Sequence, residues 1–506
     1  MISNELIAAK RQELHQIVDQ VLNCVSEGVE QQTALHEVES QTFQALLKAG
    51  HATLGLFIEL QGDGDVGEDH QLPDGKTLQR SPEPHRRPYI SIFGELQIER
   101  YVYAQREGQK IEFAAVDARL ALPESKFSYL LQDWDQNFAM EQPFGKVKRT
   151  VEKILGLEQH VDSLERMNRD MAQHVEGFHA AQKAPPPEEE GQIFVETADG
   201  KGVPIRRPAD TPLIHDHQHQ RGPKPDRKKM ATVGAVYSVD PFVRTPEEVV
   251  EALFRDPREQ DEGQKRKRPR PCHKRMRCML NHVDEEGNEI DGRPAIFGWI
   301  SEEMASRHAG ADRPIVNIMD GEKALWGMRD VFQPDVSLVD ILDLLHVTPR
   351  LWDAAALFYS RGSRAAEKFV RERVLRILQG DVQAVIRGLR RMGTQRLSGK
   401  KRGQLEKICQ YFERNRQRMR YDEYLAAGYP IASGVIEGAC RHIVKDRMER
   451  TGMNWVVPGA QAMLDLRCLY LCDAWDEYVD YRIEKETERL YPYRDSLQTI
   501  SLSLAA

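Results

Sequence analysis

Long apolar runs are missing from this chain of 506 residues. Nowhere does it string together the roughly 18 apolar residues that a membrane span needs, so no membrane partner is expected. The start, Met1-Ile2-Ser3-Asn4-Glu5-Leu6, has neither the basic nor the apolar stretch of a secretory signal. Cysteine is scarce, odd in number at seven, and scattered. That excludes a disulfide framework and suits a reducing, cytoplasmic setting. An excess of positive charge is missing too, since the formal net charge is −8. A wholly basic nucleic-acid binder is therefore excluded, although a local basic face can still hold phosphate on an acidic chain. What remains is 40% hydrophobic and 30% charged. This is a charge-rich globular composition with enough length for about three or four domains.

Along the chain, residues 1–60 carry apolar residues at helical spacing (Leu6, Ile7, Leu14, Ile17, Val18, Val21, Leu22) and read as a helical region. Residues 61–88 are rich in Gly, Asp and Pro and read as loop. Tyr89–Tyr103 alternates like a hairpin turning at Gly94-Glu95. Phe144–Leu155, then Gly156, then Val161–Met171 has helix-turn-helix grammar, a reading that competes with a plain helical hairpin. Lys146, Lys148, Arg149, Lys153, Arg166 and Arg169 lie on this pair, and 61–182 is taken as one hairpin-plus-helix DNA-binding region. Pro185-Pro186-Pro187-Glu188-Glu189-Glu190 combines stiff and like-charged residues, which marks 183–190 as a linker.

Beyond the linker, Phe194-Val195-Glu196-Thr197-Ala198-Asp199-Gly200-Lys201-Gly202 reads as a buried strand that stops at an acidic residue and a Gly-x-Gly turn. His215, His217 and His219 alternate but sit in a loop composition and read as solvated. Met230–Val239 is a strand. Residues 245–292 read as a basic excursion around Lys265, Arg266, Lys267 and Arg268, either a solvated charge run or a phosphate contact. Cys272, His273, Cys278 and His282 match no standard zinc-finger spacing. Ala295–Ile300 is expected as a short strand and Glu302–His308 as a helix. Pro314–Met319, followed by Asp320-Gly321-Glu322, repeats the strand–Asp–Gly grammar. Val336–Val347 is a strand entering a helix from Thr348, with Asp343 and, on the opposite face of a period-two strand, Asp340 as acidic candidates. Residues 351–427 are helical throughout. Pro430–Arg447 is a helix capped by Ser433, with Glu437, Arg441 and Lys445 one turn apart on a common face.

Two strand-terminal aspartates and a helical glutamate, separated by more than a hundred residues each, suit phosphodiester chemistry. A pair of divalent ions about 3.5–4 Å apart activates the attacking oxygen and stabilises the leaving one, and hard Mg²⁺ takes carboxylate ligands. The chain resembles the DDE transposases of bacterial insertion sequences, of the ISKra type. The likeness rests on Ala198–Pro204, Met319-Asp320-Gly321-Glu322, Leu342–Val347 and Gly434-Val435-Ile436-Glu437-Gly438.

The resemblance implies an α/β fold. Its ribonuclease-H-like catalytic domain would run over 191–350, be interrupted by a helical insertion over 351–430 and resume over 431–480, with a tail at 481–506. It implies Asp199, Asp320 and Glu437 as catalytic, metal-binding residues for two Mg²⁺ ions, with Mn²⁺ as a substitute. Asp343 and His346 form an accessory pair, although a lone histidine is more often structural. Lys201, Lys265, Arg266, Lys267, Arg268, Arg441, Lys445 and Arg447 are the candidates for DNA contact. The implied partners are terminal inverted repeats, target DNA and a second copy of the chain, in a nucleoid-associated setting. A structure-selective nuclease and an inactive DNA-binding or assembly protein are the alternatives.

Overall fold

A computed structural model describes residues 4–106, 108–206, 228–255, 267–283, 288–308, 312–450 and 453–494. The protein is mixed α/β and divides into two compact units, Met1–Phe178 with Trp475–Ala506, and His179–Ala474. The helix Trp475–Leu490 therefore belongs with the N-terminal unit and runs unbroken across the boundary expected at residue 480. Its buried Trp475 and Tyr478 explain why, since their polar atoms bond Asp133 and the carbonyl of Met171. No helix among the described residues is long and apolar enough to cross a membrane.

The N-terminal unit opens with two helices, Asn4–Glu30 and Leu35–Glu59, as their spacing predicts. Residues 61–88 are not the expected plain loop. They contain the strands Asp69–Gln71 and Thr77–Arg80 and the start of the strand His85–Ser91, held by backbone pairing that a polar composition conceals. The hairpin forms between His85–Ser91 and Gly94–Arg100. Its turn lies at Ile92-Phe93, because Gly94 takes a positive φ of 127° and closes the ladder opposite Ser91. Helices Phe144–Leu155 and Val161–Ala172 appear where expected, with Gly156 left-handed at the first helix's end (φ 69°). Val147, Val151, Leu164 and Met171 are buried between neighbouring helices, while Lys146, Arg149, Lys153 and Arg166 are exposed.

The second unit is built on a five-stranded sheet. Its strands are β1 (Ile193–Pro204), β2 (Lys228–Val239), β3 (Cys272–Leu280), β4 (Ile315–Met319) and β5 (Leu338–Leu342), in spatial order β5-β4-β1-β2-β3. β1, β2 and β3 run antiparallel, whereas β4 and β5 lie parallel to β1 on its other side. Ile193 to Ala198 are buried without interruption, as befits a strand covered on both faces. β1 does not stop at Asp199. Pairing with β2 continues from Asp199↔Val233 to Pro204↔Lys228, so Gly200 and Gly202 sit in ladder rather than in a turn. The expected excursion 245–292 contributes sheet edge β3 as well as helix α1 (Pro246–Leu253). Ala295–Ile300 is not a strand but part of helix α2 (Arg293–His308), whose Ile296, Phe297 and Ile300 cover one sheet face. A short apolar run does not distinguish strand from buried helix.

Helix α3 (Lys323–Phe332) joins α2 on that face. The other face carries α4 (Leu344–Ala356) and the helices of the 351–430 region, α5 (Arg364–Leu378), α6 (Val382–Arg396), α7 (Gly399–Asn415) and α8 (Tyr421–Ala426). These share a single core with Val195, Val316 and Ile341 of the sheet. The presumed linker is not a free spacer either. Its Glu190 is buried and ion-paired with Arg307 and Arg313 of the second unit.

Glu196, in the middle of β1, is buried and accepts a bond from Gln333 at 2.9 Å. Burial pushes its carboxyl up from 4.5 to about 7, only partly offset by that bond. The Gln333 side-chain oxygen has no donor, which suits a protonated Glu196 beside it. A raised folded-state value means that stability falls as pH rises from the ordinary carboxylate range through 7. Glu196→Gln is therefore expected to raise the melting temperature at pH 8, by an equivalent of roughly 3–4 kcal/mol at most. At pH 4 it should leave the melting temperature unchanged. Melts at the two pH values check both the sign and the window.

Candidate active site

Strand register decides which acidic residues meet. Ala198 of β1 pairs with Met319 of β4, and Met319 pairs with Leu342 of β5. The next residue in each case is an aspartate, so Asp199, still inside β1, lies level with Asp320 and Asp343, which stand just past the carboxyl ends of β4 and β5. Open α/β sheets bind their ligands at such ends. Asp199 and Asp320 are half-buried, and Asp343 is 1% exposed.

Each aspartate is pinned by its own backbone. Gly200 N–H donates to Asp199 at 2.7 Å, and Glu322 N–H to Asp320 at 2.7 Å. Leu345 N–H donates to Asp343 at 2.8 Å, making Asp343 the N-cap of α4. Burial pushes the Asp199 carboxyl up. The Gly200 N–H and the neighbouring His346 oppose that, the charge of Asp320 reinforces it, and a hydrogen bond from Cys440 opposes it again. Burial likewise raises Asp343, against the Ser433 hydroxyl, the Leu345 N–H and His346. Glu322, raised first by burial, also feels both Asp320 and Asp199. Asp340, the alternative to Asp343, is spent on an ion pair with Arg329.

Glu437 lies on helix α9 (Gly434–Ala439). Ser433 occupies the N-cap position, but its hydroxyl makes no cap bond and donates instead to Asp343. Leu344 N–H bonds the Ile431 carbonyl at 3.0 Å, so the entry to α9 is tied to the end of β5. Glu437 itself is exposed. Among the described residues no three His, Cys, Asp or Glu side chains are gathered closely enough to hold an ion. The structure thus brings Asp199 and Asp320 together, with Asp343 and His346 beside them, and leaves Glu437 in the adjoining helix. After α9 the helix widens into a π-helical stretch, Cys440–Lys445. This alters the spacing that was to align Arg441 and Lys445 with Glu437.

Of the basic candidates, Lys201 is half-buried, while Lys267, Arg268, Arg441 and Lys445 are exposed. Arg441 lies 3.7 Å from Asp446. Arg447 is fully buried, its guanidinium 4.9 Å from the centre of the Trp455 ring. It is a core residue and presents nothing to DNA. Lys265, Arg266 and the histidines 215, 217 and 219 lie outside the described residues.

Sequence reasoning missed Ser433 as a partner of Asp343, Cys440 as a donor to Asp199, and Tyr411, whose hydroxyl meets the backbone of Gly321. Cys440 stands three residues after Glu437, so a helical stripe through 433, 437 and 440 carries the signal for the first two. Nothing in the local sequence points to Tyr411. It does account for Gly321, where a β-carbon would collide with the tyrosine ring.

Hard oxygen donors side by side on adjacent segments, one of them held in a half-buried position where burial disfavours its charge, fit a divalent cation. Asp199 and Asp320 are the residues that would hold it. Matched against protein-family models and curated proteins, the chain finds no counterpart.

Proposed function

We propose that the His179–Ala474 unit is a ribonuclease-H-like catalytic domain and the whole chain a DDE-type DNA transposase. One observation carries the reading: Asp199, within β1, sits beside Asp320, the residue after β4, where the parallel pairing of the two strands ends. The sheet around them supports it, with an antiparallel trio, two parallel strands added beyond the first, and a helical block between the last strand and the glutamate helix.

In this reading Asp199 and Asp320 hold the metal, Mg²⁺ or Mn²⁺, and Glu437 is the third carboxylate. Bound divalent ions supply activation of the attacking oxygen and charge relief at the leaving one. Water attacks the phosphorus at the element end, the 3′-oxygen leaves and takes up a proton. The resulting 3′-hydroxyl then attacks a target phosphodiester and expels that strand's 3′-oxygen. The chain's own part is positioning. Asp343, buried, caps α4 and anchors Ser433, which fixes where the glutamate helix begins. His346 lies within electrostatic reach of both Asp199 and Asp343 and offsets their charge when protonated. Lys445 and Arg441, exposed beyond Glu437, meet backbone phosphates. The helix pair Phe144–Ala172 reads the terminal repeats, and two copies of the chain hold two ends, in contact with the nucleoid.

The exposure of Glu437 keeps one second reading, a DNA-binding or assembly protein that performs no chemistry. Incubating the full chain with a duplex taken from the DNA flanking its gene, plus Mg²⁺ or Mn²⁺, separates the readings. The transposase gives a nick with a 3′-hydroxyl and joined products. Nicks that are never joined indicate a nuclease, and no cleavage with either ion indicates the binding protein.

A further inference from the structure

Beside Asp320 stands a group that no motif announces. Tyr411 of α7 presses its ring against Gly321, and its hydroxyl bonds that residue's backbone. Two guanidiniums lie over the same ring, Arg350 of α4 at 5.1 Å and Arg414 of α7 at 5.8 Å from its centre. Arg414 also reaches the Gly321 carbonyl at 3.4 Å. Both arginines are exposed, and among the described residues neither is paired with a carboxylate. Elsewhere in the same helical block arginines do find acids, as Arg390 of α6 does with Glu406 and Glu413 of α7.

We infer that Arg350, Tyr411 and Arg414 form a phosphate clamp that seats the DNA strand next to the phosphodiester being cut; this rests on the proposed nuclease-type site at Asp199 and Asp320. The tyrosine is a platform and not a base-stacking partner, because the Gly321 backbone and two guanidiniums already crowd its ring. Guanidiniums held on a ring keep planar N–H forks turned outward with little rotamer freedom left to lose. Those forks match phosphate oxygens. The clamp gives the helical block a task at the site: it supplies the positive wall that the carboxylates lack. A polyanion approaching Asp199 and Asp320 needs such a wall, since the carboxylates alone repel it.

The test uses the full chain carrying Asp199→Asn, in EDTA, so that binding is read apart from chemistry. Anisotropy of a fluorescein-labelled duplex is followed across a salt series. Losing two phosphate contacts lowers the slope of log affinity against log salt by about 1.8. That drop is expected for Arg350→Gln/Arg414→Gln. A control with the same charge change at the exposed start of α7, Lys400→Gln/Lys401→Gln, should keep the parent slope. Both arginines are exposed, and equal melting temperatures confirm that the fold is intact. An unchanged slope in the double variant, or an equal drop in the control, overturns the clamp alone. A parent that binds no duplex overturns both the clamp and the transposase reading.

Discussion

Asp199→Asn and Asp320→Asn are each expected to reduce metal-dependent strand cleavage by at least about a thousandfold, some 4 kcal/mol in the barrier, while folding as well as the parent or better. The two halves of this result have one cause. Asp199 is a half-buried carboxylate whose charged form is disfavoured by burial and by the charge of Asp320. Its folded-state pKa is raised, so the folded chain binds the proton more tightly than the unfolded one. Stability is then lost as pH rises from the ordinary carboxylate range through the raised value. An amide of the same shape removes that cost together with the ligand oxygen that a cation needs. Cleavage assays with Mg²⁺ and thermal melts at pH 7 and pH 4 make the comparison. Full activity in either variant would end the proposal. A fall in melting temperature for both would make the pair a structural device instead of a site kept at the expense of stability.

Much of this site was legible because strand grammar is local. Apolar runs leading into Asp at 199 and 320 mark strands wherever they lie, although β1 continues past Asp199 to Pro204. The run expected as strand over Val336–Val347 ends at Leu342, with the helix starting at Leu344 and not at Thr348. Parallel register then does the rest by aligning Ala198, Met319 and Leu342. The helices over Phe144–Ala172 were legible for a similar reason, a period of 3.6 punctuated by Gly156. What was hidden depends on contacts distant in sequence. Gly200 reads as a turn residue until β2 pairs through Lys228. Ala295–Ile300 reads as a strand until it is seen to continue to His308. Arg447 reads as a surface cation because arginine normally is one, yet Trp455 covers it. The place of Glu437 was hidden in the same way: its helix is tied to the sheet by Ser433 on Asp343 and by Leu344 on Ile431, contacts between residues far apart in sequence.

Arg307→Met is expected to cost about 3–5 kcal/mol of stability, the usual result of stranding one member of a buried ion pair. Arg307 is 0% exposed and Glu190 2% at their side chains. Two guanidinium nitrogens meet the two carboxylate oxygens at 2.7 and 2.8 Å, and a third bonds the His273 carbonyl at 3.0 Å. Burial alone would push the Glu190 carboxyl up. The hydrogen bonds from Arg307 and Ser238, with the charges of Arg307 and Arg313, outweigh it and hold the carboxyl at about 2. Its contribution is thus in place above the ordinary value of 4.5 and is lost as pH falls toward 2. Denaturant midpoints for Arg307→Met, Glu190→Leu and the double variant at pH 7 apportion the effect. The single changes should be severe, and the double should recover most of the loss, because no charge is then left buried without its partner. If the double variant is as unstable as the sum of the singles, the arginine acts mainly through the His273 carbonyl. The run of glutamates that ends in Glu190 is then ordinary linker after all, and the second unit is held together at the start of β3.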